Sequence, residues 1–231
     1  MVAPESAEAF FTLISDGWHP PADDYRLSDE QIQHLCSFLL QLNRWNQVHS
    51  LTAILDPEQQ VIRHILDALA VWPQIDRRLR ASRLGNRVAD VGSGMGVPGV
   101  VLAIVMPEFE FHLIERQQKK ASFLRHVAAR LGHAVQIRVV DQDVTRMRVD
   151  EGYDLIVCRA FSGLHEFLSL THHLSKPGTL WAAMTGRDKK SEESLSKMII
   201  KNNHLEIEPA VPIEVKGLMA DRHLVWVKRT S

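Results

Sequence analysis

The sequence predicts an α/β fold, a doubly wound and mostly parallel sheet preceded by a helical extension. Three observations predict it. From Arg87 onward short apolar runs alternate with helical stretches, the rhythm of a parallel sheet covered by helices on both faces. A glycine-rich turn, Asp90-Val91-Gly92-Ser93-Gly94-Met95-Gly96-Val97-Pro98-Gly99, follows the first of these runs and precedes a helical stretch. Before Arg83 the hydrophobic spacing is helical. The chain therefore divides into an extension, residues 1–83, and a domain, residues 84–231.

The extension reads as three helices. Residues 5–15 form a short one, apolar on one side, and Pro20-Pro21 breaks the chain after it. Ser28 and Gln31 make a capping box, in which each side chain satisfies a free backbone donor of the other. Behind it Ile32, Leu35, Cys36, Leu39 and Leu40 recur at helical spacing, to about Trp45. Asp56 caps the third helix and Pro57 takes its first position, where a missing N–H costs nothing. Its stripe is Val61, Ile62, Ile65, Leu66 and Leu69, and Pro73 ends it.

In the domain, strands are expected at 87–91, 109–114, 135–140, 153–158 and 179–184. Helices are expected at 100–105, 119–131, 164–174 and 191–202. The second carries Lys120, Phe123, Leu124, Val127 and Leu131 on one stripe. Two late apolar segments, 205–215 and 223–228, have no helix between them and read as an antiparallel pair closing the sheet. Crossovers between parallel strands are right-handed.

Composition excludes several classes. A chain of 231 residues buries enough surface to need no staples. Its 45% hydrophobic and 24% charged residues exclude disorder as the main state. Lys and Arg number 27 against 28 Asp and Glu, so a polyanionic partner must be met by a local patch. Two cysteines, Cys36 and Cys158, exclude a disulfide scaffold and a four-cysteine zinc site, and fit a reducing cytosol. No apolar run reaches membrane-spanning length, and residues 1–9 lack the cations of a secretory signal. The expectation is a cytoplasmic protein with no membrane association. Twelve histidines are scattered, and His64 with Asp67 one turn on lacks a third ligand, so no metal is expected.

The glycine turn stands where open α/β sheets bind ligands, outside the carboxyl ends of the strands. Two cofactors compete for it. Gly94-x-Gly96-x-x-Gly99 spells the dinucleotide fingerprint, in a late register because Gly92 already ends the strand. Asp90, however, sits badly beside a pyrophosphate. It suits a ligand with an ammonium group, such as the methionine end of S-adenosylmethionine. Glu115 ends the second strand, where its two oxygens can accept from both hydroxyls of a ribose. Either cofactor class asks for that acid.

On these residues the chain resembles the class I S-adenosylmethionine-dependent methyltransferases. More narrowly, it is similar to the bacterial RsmG family (glucose-inhibited division protein B), which methylates guanine N7 in small-subunit ribosomal RNA. The resemblance is carried by Leu42-Asn43-Arg44-Trp45-Asn46, Leu51-Thr52, Arg63-His64-Ile65-Leu66-Asp67 and the loop from Asp90 to Gly99. It continues through Lys119-Lys120-x-x-Phe123-Leu124, Arg159-Ala160-Phe161 and Arg222-His223-Leu224-Val225. It implies a Rossmann-like sheet of seven strands with an antiparallel last strand, S-adenosylmethionine as cofactor, and 16S ribosomal RNA or the small ribosomal subunit as partner, met by a monomer. It also implies that Gly92, Val97, Val144, Thr145 and Arg159 line the cofactor. With Asp90, Gly94 and Glu115 these form the candidate cofactor site. Four departures stand out. The chain has Ser50-Leu51-Thr52 for Asn-Leu-Thr, Asp67-Ala68 for Asp-Ser, Cys158-Arg159-Ala160 for Ser-Arg-Ala, and Thr185-Gly186 for Lys-Gly. The last removes a cation that Lys189 or Lys190 stands near enough in sequence to replace.

The chemistry asks little of the protein. Guanine N7 carries a lone pair and no proton, so no general base is needed, and holding it in line with the methyl group suffices. No catalytic acid or base is therefore assigned. Cys158 has no evident activator, so nucleophilic catalysis is not expected. Arg159 is a positioning candidate, its plainer role being an ion pair with Asp154 or Glu115. Candidate RNA contacts are His64, Lys119 and Lys120, with Arg116 and Arg125 beside the lysines. The run Arg77, Arg78, Arg80, Arg83 and Arg87 reads as a solvated face, and Trp45 and Trp72 as core. Three rivals remain: a methyltransferase for a small molecule or protein, a nicotinamide-dependent oxidoreductase, and a binding module without turnover, which Thr185 alone supports.

Overall fold

The computed structural model describes residues 6–82, 85–159, 163–186 and 204–230. Helix α1 (Ala7–Gly17) starts on Ser6, whose side chain accepts from the Ala9 N–H. Helix α2 (Asp29–His49) opens on the expected capping box, with Ser28 and Gln31 exchanging both bonds. It outruns Trp45 by one turn and stops at Ser50, which turns left-handed at φ 49°.

Asp56 caps α3 (Pro57–Gln60), which passes through a π-helical turn, Val61–Leu66, into α4 (Asp67–Leu69). Pro73 does not end this helix. A fourth helical segment, α5 (Trp72–Ser82), begins just before it and holds Pro73 in its first turn, where proline forfeits no bond. The extension therefore carries one helix more than its spacing suggested.

The domain follows as β1 (Arg87–Val91), α6 (Gly99–Val105), β2 (Glu110–Ile114), α7 (Gln118–Leu131), β3 (Gln136–Val140) and β4 (Tyr153–Arg159). Then come α8 (Leu164–Thr171), β5 (Ser175–Thr185), β6 (Leu205–Ile207), β7 (Val211–Ile213) and β8 (Arg222–Arg229). The helix expected at 191–202 lies outside the described residues, as do Ala160, Phe161, Lys189 and Lys190.

The sheet order is β3-β2-β1-β4-β5-β8-β6, with β7 also on β8. The first five strands run parallel and β8 runs antiparallel to β5. β6 and β7 share β8's outer edge, opposite 227–229 and 222–224 respectively. Seven places across the sheet thus hold eight strands. The segment expected as one strand at 205–215 splits where Pro209, with no N–H, follows the last ladder bond from Glu208 N to Trp226 O.

Side-chain alternation sorts the core into two clusters, one on each face. Val88, Phe111, Leu113, Leu155 and Val157 face α6, α7 and the whole extension. Ala89, Val91, Ile114, Ile156 and Cys158 face α8. The same parity puts Asp90, Glu115 and Arg159 on the side of the extension.

Candidate functional site

Asp90 is the penultimate residue of β1 and is buried. Its Oδ2 accepts from the Gly99 N–H at 3.0 Å, closing the glycine loop on the strand that launches it. Burial pushes its pKa up to about 7, against the Gly99 bond, Arg159 and Ser93, which favour the charged form. The expectation was a carboxylate facing a ligand's ammonium group. The carboxylate instead lies beneath the loop and shapes it.

The loop turns on glycines with positive φ, Gly92 at 70°, Gly94 at 58° and Gly96 at 96°. The N–H groups of Gly92 and Ser93 both donate to the Ile114 carbonyl, at 2.9 and 3.1 Å. Gly94 N–H donates to Glu115 Oε2 at 2.9 Å, and Gln117 N–H to Oε1 at 2.7 Å. Glu115 thus stands fixed by two backbone donors at the end of β2, and each oxygen keeps a further lone pair.

A cavity of about 440 Å³ opens over these strand ends. Val91, Gly92, Ile114 and Glu115 form its floor, Gln142 to Thr145 one wall, and Glu166 and Leu170 of α8 the other. Asp143 accepts from the Thr145 N–H at 3.0 Å and from its hydroxyl at 2.8 Å, which sets the turn that presents Val144. Those two bonds hold the Asp143 pKa below its ordinary value. Of the expected cofactor residues, Gly92, Glu115, Val144 and Thr145 meet on this cavity. Asp90, Gly94, Val97 and Arg159 do not line it: Gly94 supports Glu115, and Val97 is buried in the core. The contributions of α8, Glu166 and Leu170, carried no sequence signal.

Arg159, the last residue of β4, turns to the extension. It donates to the Arg63 carbonyl at 2.6 Å and to Asp67 Oδ2 at 3.3 Å. Arg222, the first residue of β8, donates to Asp67 Oδ1 at 3.0 Å. The partner of Arg159 is thus Asp67 of α4. Asp154, at the other end of β4, accepts from the Gly85 and Arg87 N–H groups and pairs with Lys176 at 2.7 Å.

His64, one turn before Asp67, is buried. Its Nε2 meets Thr52 Oγ1 at 3.2 Å and its Nδ1 has no hydrogen-bond partner. Burial, aided by the Arg159 charge, pushes its pKa down to about 4, so it is neutral at pH 7. Its ring is thereby placed in the wall between extension and sheet. Lys119 is exposed and Lys120 half-buried, in the first turn of α7 beside the cavity. The Cys158 thiol is buried beside Asp90 and raised well above its ordinary pKa, no nucleophile at neutral pH.

Arg83 lies outside the described residues, and the other arginines of the 77–87 run are consumed by structure. Arg78 forks onto Glu208 at 2.6 and 2.5 Å and lies 4.4 Å over the Trp226 ring. Arg80 pairs with Asp76 at 2.7 Å and with Glu108. Arg77 donates to the Pro73 carbonyl, and Arg87 to that of Glu151. Trp45 packs on Phe123 and His126, and Trp72 on Trp18 and Tyr25, as core residues do. Among the described residues no group of three His, Cys, Asp or Glu side chains is placed to hold a metal, and no helix is long and apolar enough to cross a membrane.

Comparison with solved structures places the fold. The N-methyltransferase NodS of Bradyrhizobium japonicum WM9, in complex with S-adenosyl-L-homocysteine, superposes with a TM-score of 0.56 at 14% identity. The superposition covers 82% of this chain and 100% of that one. An S-adenosylmethionine-dependent methyltransferase of Clostridium acetobutylicum also gives 0.56, at 15% identity over 75% of this chain and 96% of that one. Sequence relatives are nearer. "Ribosomal RNA small subunit methyltransferase G" of Leptothrix cholodnii is 39% identical over 207 residues, 89% of this chain and 90% of the relative. Its namesake in Methylibium petroleiphilum is 35% identical over 232 residues, 99% and 98% of the two chains. The family model GidB, rRNA small subunit methyltransferase G, matches residues 31–225, which include most of α2, α3 to α5, the glycine loop, Arg159 and Arg222. The match thus spans most of the extension together with the sheet, and the chain belongs to the rRNA small subunit methyltransferase G family.

Proposed function

We propose that this protein transfers the methyl group of S-adenosylmethionine to N7 of a guanine in 16S ribosomal RNA. The observation that carries the reading is the family match over residues 31–225, supported by relatives that align over nearly their whole length. The residues present fit the cofactor. The cavity's apolar surfaces, Val91, Ile114, Val144 and Leu170, suit the faces of an adenine ring, and Glu115 retains lone pairs for ribose hydroxyls. When bound, S-adenosylmethionine supplies a methyl group on a sulfonium, an activated leaving group.

The remaining work falls to this chain's own residues. N7 attacks with a lone pair and loses no proton, so the site needs orientation and no base. The acids near the site suit that requirement, because Asp90 and Glu115 at the strand ends and Asp67 of α4 each accept from N–H donors and serve as braces. Lys119, with Arg116 and Lys120, offers cations to the RNA backbone at the cavity's rim. We retain the division at residues 83 and 84, and a monomer acting in the cytoplasm, as parts of this proposal. Thr185, opposite His223 across the β5–β8 pair, leaves no lysine at that strand end among the described residues.

The test is to incubate the purified protein with labelled S-adenosylmethionine and either 16S ribosomal RNA or small ribosomal subunits. Digestion to nucleosides should yield labelled 7-methylguanosine and nothing else. Label on another atom, or on protein or a small molecule only, overturns the reading. Binding of cofactor without transfer to any RNA indicates the binding module.

A further inference from the structure

We propose that the RNA backbone runs along the seam between α2 and α7, held at its far end by Arg44 and Arg130. The inference deepens the proposed function and rests on it. Charge is segregated in this chain. From Arg116 to Val140 there are six Lys and Arg and no Asp or Glu, although the whole chain carries a net charge of -1. Helix α2 likewise holds no acid after Glu30. A helix face that serves only to meet solvent mixes both signs. A face of one sign raises a field that selects a polyanion.

Packing joins the two acid-free segments into one face. Gln41 of α2 and His126 of α7 meet at 2.9 Å, and Trp45 packs on Phe123. Lys119 and Arg130 share one stripe of α7, since the step between them is about three helical turns, or roughly 16 Å. The stripe starts where Arg116 and Gln117 line the strand-end cavity. It ends at a second cavity, of about 470 Å³, between α1, α2 and α7. Arg44 and Arg130 both border that cavity, with Phe11, Leu40 and, as its one acid, Glu8. Both arginines are exposed, and among the described residues neither holds an ion pair, whereas Arg116 and Arg125 pair with Asp143 and Asp141. Arg130 suits the C-terminal end of the α7 dipole, but Arg44 lies before the last turn of α2 and has no such local use. A single nucleotide in the strand-end cavity does not reach them. A strand that delivers a guanine there and continues along the seam meets Lys119 first and then both arginines. The occupant is therefore a stretch of RNA several nucleotides long, bound through its phosphates.

The experiment is filter binding of the full-length protein to 16S ribosomal RNA over a range of salt, with thermal unfolding alongside. Arg44→Gln combined with Arg130→Gln should weaken RNA binding about tenfold and make the slope of log affinity against log salt shallower by about two. Adding Lys119→Ala should take away about one more, because contacts this far apart act independently. Arg44→Lys combined with Arg130→Lys should keep the wild-type slope, because a phosphate accepts a point charge. The melting temperature should not move in any of these variants. An unchanged slope in the glutamine pair overturns the inference. So does an equal loss in the lysine pair, which marks a packing role. A loss seen on small ribosomal subunits and not on protein-free RNA places an acidic protein on the seam and overturns it too. A wild type that binds and methylates RNA, with the glutamine pair indistinguishable from it, removes the inference alone. A wild type that neither binds nor methylates RNA removes the proposed function and the inference with it.

Discussion

The Gly99 amide donates to Asp90 Oδ2 at 3.0 Å, and a methyl group built on Gly99 would lie 2.5 Å from that same oxygen. It would lie closer still to Leu113 Cδ2. Position 99 is therefore glycine for lack of room, since its φ is ordinary. Gly99→Ala must push the first turn of α6 away from β1 or displace Leu113 within a packed core. Overpacking of this kind costs about 1–3 kcal/mol, which lowers the melting temperature by roughly 2–12 °C in a chain of this size. Because the shift opens the glycine loop, cofactor affinity should fall too. Thermal unfolding and calorimetry on one preparation check both, and a variant indistinguishable from the wild type contradicts the account.

Glu115 is the cavity's one buried acid, and each of its oxygens already takes a backbone N–H. Glu115→Gln turns one oxygen into a donor that faces a donor. The loss of a charge-assisted bond is worth about 1.5–3 kcal/mol, so cofactor affinity should drop roughly tenfold to a hundredfold. The Gly94 or Gln117 amide is left unpaired as well, so a lower melting temperature accompanies the loss. An undiminished affinity for S-adenosylmethionine would place the ribose elsewhere.

How far these features could be read in the sequence depends on whether a bond is local. The capping box of α2, the cap of α3, the loop's glycines and the end of β2 at Glu115 are set by neighbours a few residues apart, and spacing shows them. Contacts that cross the chain left no such trace. Arg159 and Asp67 are 92 residues apart, and Arg222 and Asp67 155 apart, so spacing pointed instead to the nearer acids Asp154 and Glu115. The arginines of α5, expected as a solvated face, instead pair with Glu208 and Glu108, 130 and 28 residues away, which local spacing does not show. Pro73 misled because proline both ends one helix and opens the next, and only the packing of Trp72 on Trp18 and Tyr25 tells which.

Lys119 and Lys120 occupy the first turn of α7, which holds no acid. Cations there oppose the helix dipole, at a cost of some tenths of a kcal/mol. Lys119→Ala should leave the protein as stable as before, or slightly more so, yet weaken RNA binding. If Lys119 contacts a phosphate, the slope of log affinity against log salt becomes shallower by about one. Arg78→Ala should do the reverse, because its guanidinium is spent on Glu208 and Trp226. It should destabilise the fold and leave the salt slope alone. Filter binding over a range of salt separates the two, and equal slopes for Lys119→Ala and wild type would remove Lys119 from the interface.

Asp90 and His64 pull the pH dependence of stability in opposite directions. Asp90 is held near 7 when folded against about 3.8 in the open chain, so between those values the folded state binds the extra proton. Its contribution is present in full below pH 3.8 and is lost as pH rises through 7. His64 is held near 4 against 6.5, so between those values the unfolded state binds the extra proton. Its contribution is present in full above pH 6.5 and is lost as pH falls through 4. Each slope approaches about 1.4 kcal/mol per pH unit in mid-window, and between pH 4 and 6.5 the two largely cancel. With respect to these two groups the wild type should be nearly flat there. His64→Gln should expose the Asp90 slope, with stability falling as pH rises from 4 to 7. Asp90→Asn should expose the His64 slope, rising from 4 to 6.5. Urea unfolding of the three proteins at half-unit pH steps reads the slopes directly, and parallel curves would show that neither group titrates differently in the fold.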